Sequence, residues 1–215
     1  ILMQVNSDLQ LEFIGAFLGI KDLERITGQV ILNMDFKELV DLSVPEKQMD
    51  KLTRGIQSEL IVRNLTFRIP DYPHIVEKLN MHADMKNGFV NLDSFSFKVG
   101  NSDINLKGSI SDLPAIFHHQ QKPVVVTLNA HSKKIVFKEL LAFDTARSNK
   151  AKEEIHNFNI GLSMQTSVNE LLQPNPLPRG KFKIQNLHAA FKEYPHVFKD
   201  FGAELTIEDT TLRLR

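Results

Sequence analysis

The residues of this chain that could do chemistry are first of all its histidines. Tyr72-Pro73-His74 and Tyr194-Pro195-His196 repeat one motif, and His118-His119 forms an adjacent pair. Imidazoles bind zinc or transfer protons, but a zinc site needs three or four convergent ligands, which neighbouring residues do not supply. We interpret His118-His119 as a solvated loop pair. Because each motif histidine follows a proline, which fixes φ and cannot donate in a β-ladder, this motif indicates a strand corner.

Two aspartates, Asp8 and Asp103, each follow a serine at the expected entry of a strand. There their carboxylates can accept hydrogen bonds from nearby backbone amides. Acid–base catalysis would need a second acid at a matching place, and none stands out. The sequence has no nucleophile elbow, phosphate loop or zinc-binding helix motif. It also has no cysteine, which excludes disulfides, thiolate zinc sites and cysteine nucleophiles. We therefore expect no enzyme, no metal and no cofactor.

The charge balance argues against nucleic acid as a partner. The chain has 215 residues, enough for one or two domains with a sizeable core. Its 26 basic and 26 acidic residues cancel, and no basic stripe with interleaved aromatic residues occurs. The first eight residues read neither as a signal peptide nor as a membrane span. We expect the chain to be a fragment of a longer protein.

A repeat organises the sequence. Asn64-Leu65 precedes the first Tyr-Pro-His and Asn186-Leu187 the second, so that residues 64–93 align without a gap on residues 186–215. Both tyrosines of the chain lie in this motif. Two further short motifs recur in the same order: Asn6-Ser7-Asp8 with Asn101-Ser102-Asp103, and Phe36-Lys37-Glu38-Leu39 with Phe137-Lys138-Glu139-Leu140. The repeat predicts two incomplete units, residues 1–98 and 99–215, joined in one continuous sheet.

Alternation of apolar and polar residues dominates the chain and predicts β-strands with one apolar face. Asn87-Gly88 and Gly100-Asn101 predict tight turns, because these residues tolerate positive φ. The fold class is therefore mainly β: an antiparallel meander of repeated units forming a curved sheet or open β-groove, with a few short helices. The apolar strand positions form a candidate binding surface: Met81, Met85, Val90, Leu92, Phe95, Phe97, Val99, Ile104, Leu106, Phe158, Ile160, Leu162, Met164, Phe182, Ile184, Leu205, Ile207, Leu212 and Leu214.

Signals for helices are scarce. Ser111-Asp112 is a good cap for a helix, and Pro114 suits the first turn of one. The pattern allows helices over residues 13–26 and 113–121 and single helical turns over 36–42 and 137–143. We interpret three polar or proline-rich stretches as exposed linkers or loops: residues 45–54, 144–154 and 173–180.

A sheet with one apolar face must bury that face against something. It can close on itself as a sandwich or barrel, or it can curl into an open trough whose apolar inside meets another molecule. Because large exposed apolar patches are rare on soluble monomers, the residues alone favour the closed sandwich. Phenylalanine and methionine at the alternating positions fit an ordinary core, and they also suit contact with acyl chains.

A family resemblance favours the open trough instead. Residues 99–113, from Val99-Gly100-Asn101-Ser102-Asp103 to Leu113, resemble the GxSDxxLxGxΦxNL stretch of the AsmA family. Residues 26–39 are similar to that family's ΦxGxΦxΦxΦxΦLΦDLL segment, and Asn64-Leu65 with Tyr72-Pro73 fits the strand between the two. The resemblance covers most of the chain, as strand and turn patterns without catalytic residues.

The resemblance implies a bacterial envelope protein that is periplasmic and attached to the inner membrane by an N-terminal anchor of the parent protein. It implies a repeating β-groove that binds or conducts phospholipid, or another acyl-chain ligand, in outer-membrane biogenesis. The alternative is a periplasmic scaffold that helps to assemble outer-membrane proteins and has envelope proteins as partners. A carbohydrate-processing β-protein is a third hypothesis, which the absence of tryptophan opposes.

Overall fold

A computed structural model describes residues 2–12, 24–37, 56–117, 122–168, 180–207 and 212–214 of the protein. These residues form one antiparallel sheet of eleven strands, with short helices beside it. The strands are β1 (Leu2–Gln10), β2 (Glu24–Lys37), β3 (Ile56–Arg68), β4 (Ile75–Lys86), β5 (Phe89–Val99), β6 (Ser102–Ile110), β7 (Pro123–Val136), β8 (Glu154–Ser167), β9 (Gly180–Phe191), β10 (Val197–Ile207) and β11 (Leu212–Leu214). Within the described ranges, three short helices accompany them: α1 (Leu113–Phe117), α2 (Phe137–Leu140) and α3 (Thr145–Lys150).

The order of strands in the sheet is their order in the chain, so every strand pairs with its sequence neighbours. Within the described residues, β1 pairs only with β2 and β11 only with β10, which leaves the sheet open and uncurled. The accessible surface is 13934 Å², whereas a compact protein of 24.5 kDa has about 10,000 Å². The prediction of a mainly β antiparallel meander is confirmed, and the closed sandwich that the residues alone favoured is wrong.

Bulges keep the apolar residues of a strand on one side of the sheet. In β5 the sequence alternation changes phase between Leu92 and Phe95, and the pairing register shifts at the same point. The extra residue of a bulge restores the facing, because alternation otherwise sends every second side chain to the opposite face. The predicted turns are confirmed as well, since Asn87, Gly88 and Gly100 all have positive φ.

The Tyr-Pro-His motif lies at the same structural place twice, between β3 and β4 and between β9 and β10. Asn64 and Asn186, which precede the two copies, both have positive φ, at 50° and 53°. The matched positions beyond the motif, Lys78 and Asp200, also agree, at 53° and 51°. The repeat thus includes the bulges of the flanking strands, and the prediction that the motif marks a corner is confirmed.

The two copies of each of the other repeated motifs lie at different positions in the fold. Asn6-Ser7-Asp8 lies inside β1, whereas Asn101 belongs to the turn between β5 and β6. Phe36 and Lys37 end β2 as strand residues, whereas the second copy of that motif forms α2. These two matches therefore do not mark equivalent places in the fold, and the boundary between units at residue 98 stays a prediction.

Two helix predictions are confirmed where the structure describes them. Helix α1 begins at Leu113, with the Asp112 carboxylate accepting a hydrogen bond from the Ala115 amide at 3.0 Å. Helix α2 occupies the predicted turn over residues 137–143. Of the predicted helix over residues 13–26, the last three residues belong to β2 and the prediction is wrong there. Residues 36 and 37 of the predicted helical turn over 36–42 are likewise strand.

About half of residues 144–154 are exposed as expected, but the interpretation of this segment as a linker is wrong. Asp144 caps α3, because its carboxylate accepts hydrogen bonds from the amides of Ala146 and Arg147, both at 3.1 Å. Ser148 is buried, and Glu154 begins β8. The sequence has no apolar stripe here because polar bonds hold the segment in place. Predictions over residues 13–23, 38–42, 45–54, 118–121 and 173–179, which include His118-His119, lie outside the described residues.

Residues 137–150, which contain α2 and α3 and which we term the covering segment, are held against one end of the sheet by a buried carboxylate. Glu139 accepts hydrogen bonds from the Asn101 amide at 2.9 Å, from Asn101 Nδ2 at 2.7 Å and from Ser102 Oγ at 3.1 Å. The Tyr72 hydroxyl donates to the Glu139 carbonyl oxygen at 2.8 Å. Burial, helped by the nearby Glu139 charge, raises the pKa of Tyr72. The covering segment is therefore fixed from the turn before β4 and the turn before β6.

Removal of the Tyr72 hydroxyl should destabilise the protein, and removal of the matching Tyr194 hydroxyl should not. Tyr72 is 7% exposed and bonded, whereas Tyr194 is 49% exposed. We expect Tyr72→Phe to lower the free energy of unfolding by about 1–2 kcal/mol, because a buried carbonyl loses its donor. Tyr194→Phe should stay within about 0.5 kcal/mol of the wild type. Chemical denaturation measures both, and equal losses would contradict this account of the covering segment.

Candidate functional site: one apolar face

Directly paired residues of an antiparallel sheet lie on the same face, so the pairing register assigns each residue to a face. Following one row across the sheet gives an almost unbroken apolar strip. Its members, from β2 to β10, are Met34, Ser58, Met85, Val90, Ile110, Val126, Met164, Phe182 and Leu205. We term the surface that contains this row the apolar face.

The positions of the predicted binding surface in β4 to β10 lie on the apolar face. Met81 pairs with Phe95 and Phe95 with Leu106, while Leu162 pairs with Ile184. The remaining members follow from the same registers: Met85, Val90, Leu92, Phe97, Val99, Ile104, Phe158, Ile160, Met164, Phe182, Leu205 and Ile207. The backbone register places Leu212 opposite Ile207 and Leu214 opposite Leu205. The structure thus brings the positions of β4 to β10 together, and contact with a ligand stays a prediction.

Sequence reasoning missed part of this face. Strands β2, β3 and β7 contribute further apolar residues to it: Val30, Leu32, Met34, Phe36, Leu60, Val62, Val124, Val126, Leu128 and Ala130. Alternation in residues 30–36 was a readable signal. In β7 the run of three valines from Val124 to Val126 hides the alternation, because Val125 faces the other way.

The described residues cover the apolar face only in part. Helical residues pack against it at two places: Ala115 of α1 on Val124, and Leu140 of α2 on Val76 and Val99. Most of its other side chains are half-buried by their neighbours within the sheet. With strands about 4.8 Å apart, the ten intervals between eleven strands extend the face over about 48 Å. So large an apolar surface is typical of a binding site.

The opposite, polar face is held by side-chain bonds between neighbouring strands. One row across it contains Asn33, Glu59, Asp84, Asn91, Ser109, Thr127, Ser163, Lys183 and Glu204. Asn33 Nδ2 donates to Glu59 at 3.0 Å, and Asn91 Nδ2 donates to Asp84 at 3.1 Å. Cross-strand pairs of this kind stabilise a sheet and face water readily. The two faces therefore differ sharply in polarity.

His82 is the histidine of the polar face with the closest acidic partners. Its Nε2 lies 3.0 Å from Glu59 Oε1, and its Nδ1 lies 3.2 Å from Asp93 Oδ2. The hydrogen bond from Asn33, followed by that from His82, holds the pKa of Glu59 below its ordinary value. All three side chains of this cluster are more than a third exposed. Within the described ranges no three histidine, aspartate or glutamate side chains could hold a metal ion together.

The other residues considered for chemistry have structural partners. His74 packs edge-on against Tyr72 with ring centres 5.7 Å apart, and His196 packs on Tyr194 at 5.1 Å. Asp103 accepts hydrogen bonds from the backbone amides of Lys133 and Lys134, at 3.0 and 3.1 Å, as predicted. The Asp8 carboxylate accepts instead from the side-chain amide of Gln29 at 2.7 Å. These contacts fix turns and strand ends.

Comparison with family models, with curated proteins and with solved structures finds no match for this chain. The resemblance to the AsmA family therefore stays a prediction that depends on short strand and turn motifs. In the described part of the chain, no helix has the length and apolar character needed to cross a membrane.

Replacing Glu154 should weaken the sheet in a pH-dependent way. Its carboxylate lies 2.9 Å from Lys134 Nζ and 3.0 Å from Lys192 Nζ, so it links β8 to a residue of β7 and to the residue after β9. The bonds from Lys134 and then Lys192 lower the pKa of Glu154 to about 2. Because this folded-state value is below the ordinary 4.5, the stabilisation is complete above pH 4.5 and is lost as the pH falls toward 2.

We therefore expect the gap in unfolding free energy between wild type and Glu154→Gln to be largest near neutral pH and to narrow below pH 4.5. Urea titrations over this pH range measure the gap. Glu204→Gln, which disrupts a single exposed pair with Lys183, is the control and should cost less throughout. A gap that stays constant down to pH 2 would contradict the role of the carboxylate charge.

Proposed function

We propose that this chain binds phospholipid acyl chains on its apolar face and conducts them across the bacterial envelope as a non-enzymatic part of outer-membrane biogenesis. The observation that carries the proposal is the apolar row from Met34 to Leu205, which crosses nine consecutive strands on one side of the sheet. The short motifs that resemble the AsmA family support the same function. A periplasmic location and an anchored parent protein belong to this proposal.

The energetics of acyl-chain contact fit such a surface. Each methylene that leaves water contributes about 0.8 kcal/mol, and the half-exposed side chains of the face gain burial at the same time. Met85, Met164 and Phe182 lie in the central row, where flexible thioethers and a flat ring can follow a mobile chain. Because hydrophobic contact is not directional, a chain can move from one strand to the next without crossing a polar barrier.

A charge on the apolar face should abolish lipid binding, whereas the same charge on the polar face should not. Leu162 and Ser163 are neighbours in β8 with opposite facing, since Leu162 pairs with Leu128 and Ser163 with Thr127. We expect Leu162→Asp to reduce bound phospholipid at least about tenfold, because an unpaired carboxylate resists burial against an acyl chain. Ser163→Asp should bind lipid like the wild type.

Native mass spectrometry of protein purified from bacteria measures the bound phospholipid, and circular dichroism checks that each variant keeps its sheet. Wild-type protein that carries no phospholipid, or equal lipid loads on Leu162→Asp and Ser163→Asp, would contradict the proposal. A liposome transfer assay with the same three proteins then separates binding from conduction. Binding without transfer would limit the function to a lipid-binding surface.

A second candidate function is a scaffold for outer-membrane protein assembly. Among the described residues β1 pairs on one side only, so its nine residues present an open edge with backbone groups available to another strand. Leu2 and Met3 on this strand are exposed. Addition of a partner strand to such an edge is a common mode of peptide recognition. A discrete envelope protein that co-purifies with lipid-free chain would favour this function over the first.

A further inference from the structure

A cavity of about 500 Å³ lies between the apolar face and the covering segment. Its volume is in the range of pockets that hold small organic ligands. Nine residues line it: Ile69, Pro70, Asp71, Tyr72, Val76, Phe97, Val99, Leu140 and Phe143. Asp71 is the single charged residue among them, so the cavity suits an apolar ligand.

One wall of the cavity belongs to the apolar face itself. Val76 pairs with Val99, and Phe97 follows two residues away on the same side of β5. Phe97 contacts Phe95 edge-on with ring centres 5.5 Å apart, and Phe95 pairs with Met81 of the open part of the face. The lining of the cavity therefore continues without a break into the surface proposed to carry lipid.

The covering segment forms the opposite wall and is fixed by polar bonds in addition to the packing of Leu140 and Ala142. Glu139 binds the turn before β6, and the Tyr72 hydroxyl binds the Glu139 carbonyl oxygen. The Ser148 hydroxyl donates to the Lys138 carbonyl oxygen at 2.8 Å and ties α3 to α2. Because these bonds hold the backbone above the sheet, the apolar residues beneath it do not have to fill the space by close packing.

Exposed apolar side chains stand at the edge of this cavity. Phe143 is 67% exposed and Ile69 is 40% exposed, although both line the cavity. Leaving a phenylalanine ring in water forgoes the burial that normally stabilises it. Contact with a ligand would bury these exposed side chains.

We propose that this cavity is a binding site for the methyl end of one alkyl chain, with the covering segment as its lid-like wall and Phe143 at its mouth. The inference rests on the proposed function, since it places one end of an acyl chain that lies along the apolar face. A headgroup would stay outside, because the described lining offers one charged side chain, Asp71, and the Tyr72 hydroxyl is already bonded to Glu139.

The second Tyr-Pro-His corner supports this assignment by contrast. There Tyr194 stacks on Phe198, and Phe198 meets Phe201 edge-on at 5.9 Å. All three rings are exposed, whereas Tyr72 is buried. The same corner thus has a cavity where the covering segment faces it and has mutually packed rings elsewhere. The site depends on the covering segment and not on the repeated motif.

Photocrosslinking tests the assignment with the whole chain. The probe is palmitoyl lysophosphatidylcholine with a diazirine at the methyl end of its acyl chain, and peptide mass spectrometry locates the crosslinks. We expect labels on residues 69–76 and 137–143. Phe143→Ser should reduce these labels at least about tenfold, since one ring contact is lost. Phe89→Ser is the matched control, because Phe89 is an exposed ring on the polar face, and its labels should equal those of the wild type.

Leu140→Trp, which places a larger side chain in the cavity wall, should also remove the labels while total bound lipid stays the same. Labels confined to apolar-face strands outside the cavity would overturn this site and leave the proposed function standing. No crosslink anywhere on the chain would overturn both. Equal labelling of Phe143→Ser and Phe89→Ser would also overturn the site.

Discussion

The structure depends on one constraint: each strand must present its apolar positions on the same side as those of its two neighbours. A shift of one residue in any pairing would turn a whole strand over and place its apolar residues in the polar rows. The bulges at Asn64, Lys78 and Asp93–Ser94 meet this constraint, because each adds a residue where the sequence alternation changes phase. Strands with such different sequences can therefore share one mainly apolar and one mainly polar face.

The two faces are stabilised differently. On the polar face, amide, carboxylate and ammonium groups bond across strands and remain in contact with water, as between Lys183 and Glu204. On the apolar face, neighbouring side chains shield one another, and in the described ranges helical residues add contacts over Val124 and around Val76 and Val99. A protein with a second layer would use this face as its core. Here the same surface is the reason for proposing that the protein binds lipid.

Much of this arrangement could be predicted from the sequence, because alternation is a local property. Residues such as Leu162 and Ser163 reveal their opposite facing without any knowledge of partners, and Asn87-Gly88 specifies its own turn. The single-layer architecture could not be derived in this way. An apolar face has the same pattern whether a second sheet or a ligand covers it, and the residues alone favoured the second sheet.

The cavity beneath the covering segment could not be predicted from the sequence for a related reason. It depends on Glu139 meeting Asn101, residues whose proximity follows from tertiary structure and from no periodicity. The stretch from Asp144 to Glu154 looked like a linker because its helix is held by a cap and by Ser148, and neither produces an apolar stripe. Polar anchoring of this type has a weak sequence signature, since single serine and aspartate residues are common in loops.

The sequential order of the strands has a consequence for how the molecule gains and loses structure. Because each described strand pairs with its sequence neighbours, cooperativity spreads along one dimension, as it does in solenoid proteins. Each pairing joins consecutive strands, so any hairpin can nucleate and growth can proceed in both directions. A local defect then separates two regions that each retain their own pairing. Strand pairs can also be gained or lost in evolution without repacking a shared interior, which makes the length of the sheet an adjustable property.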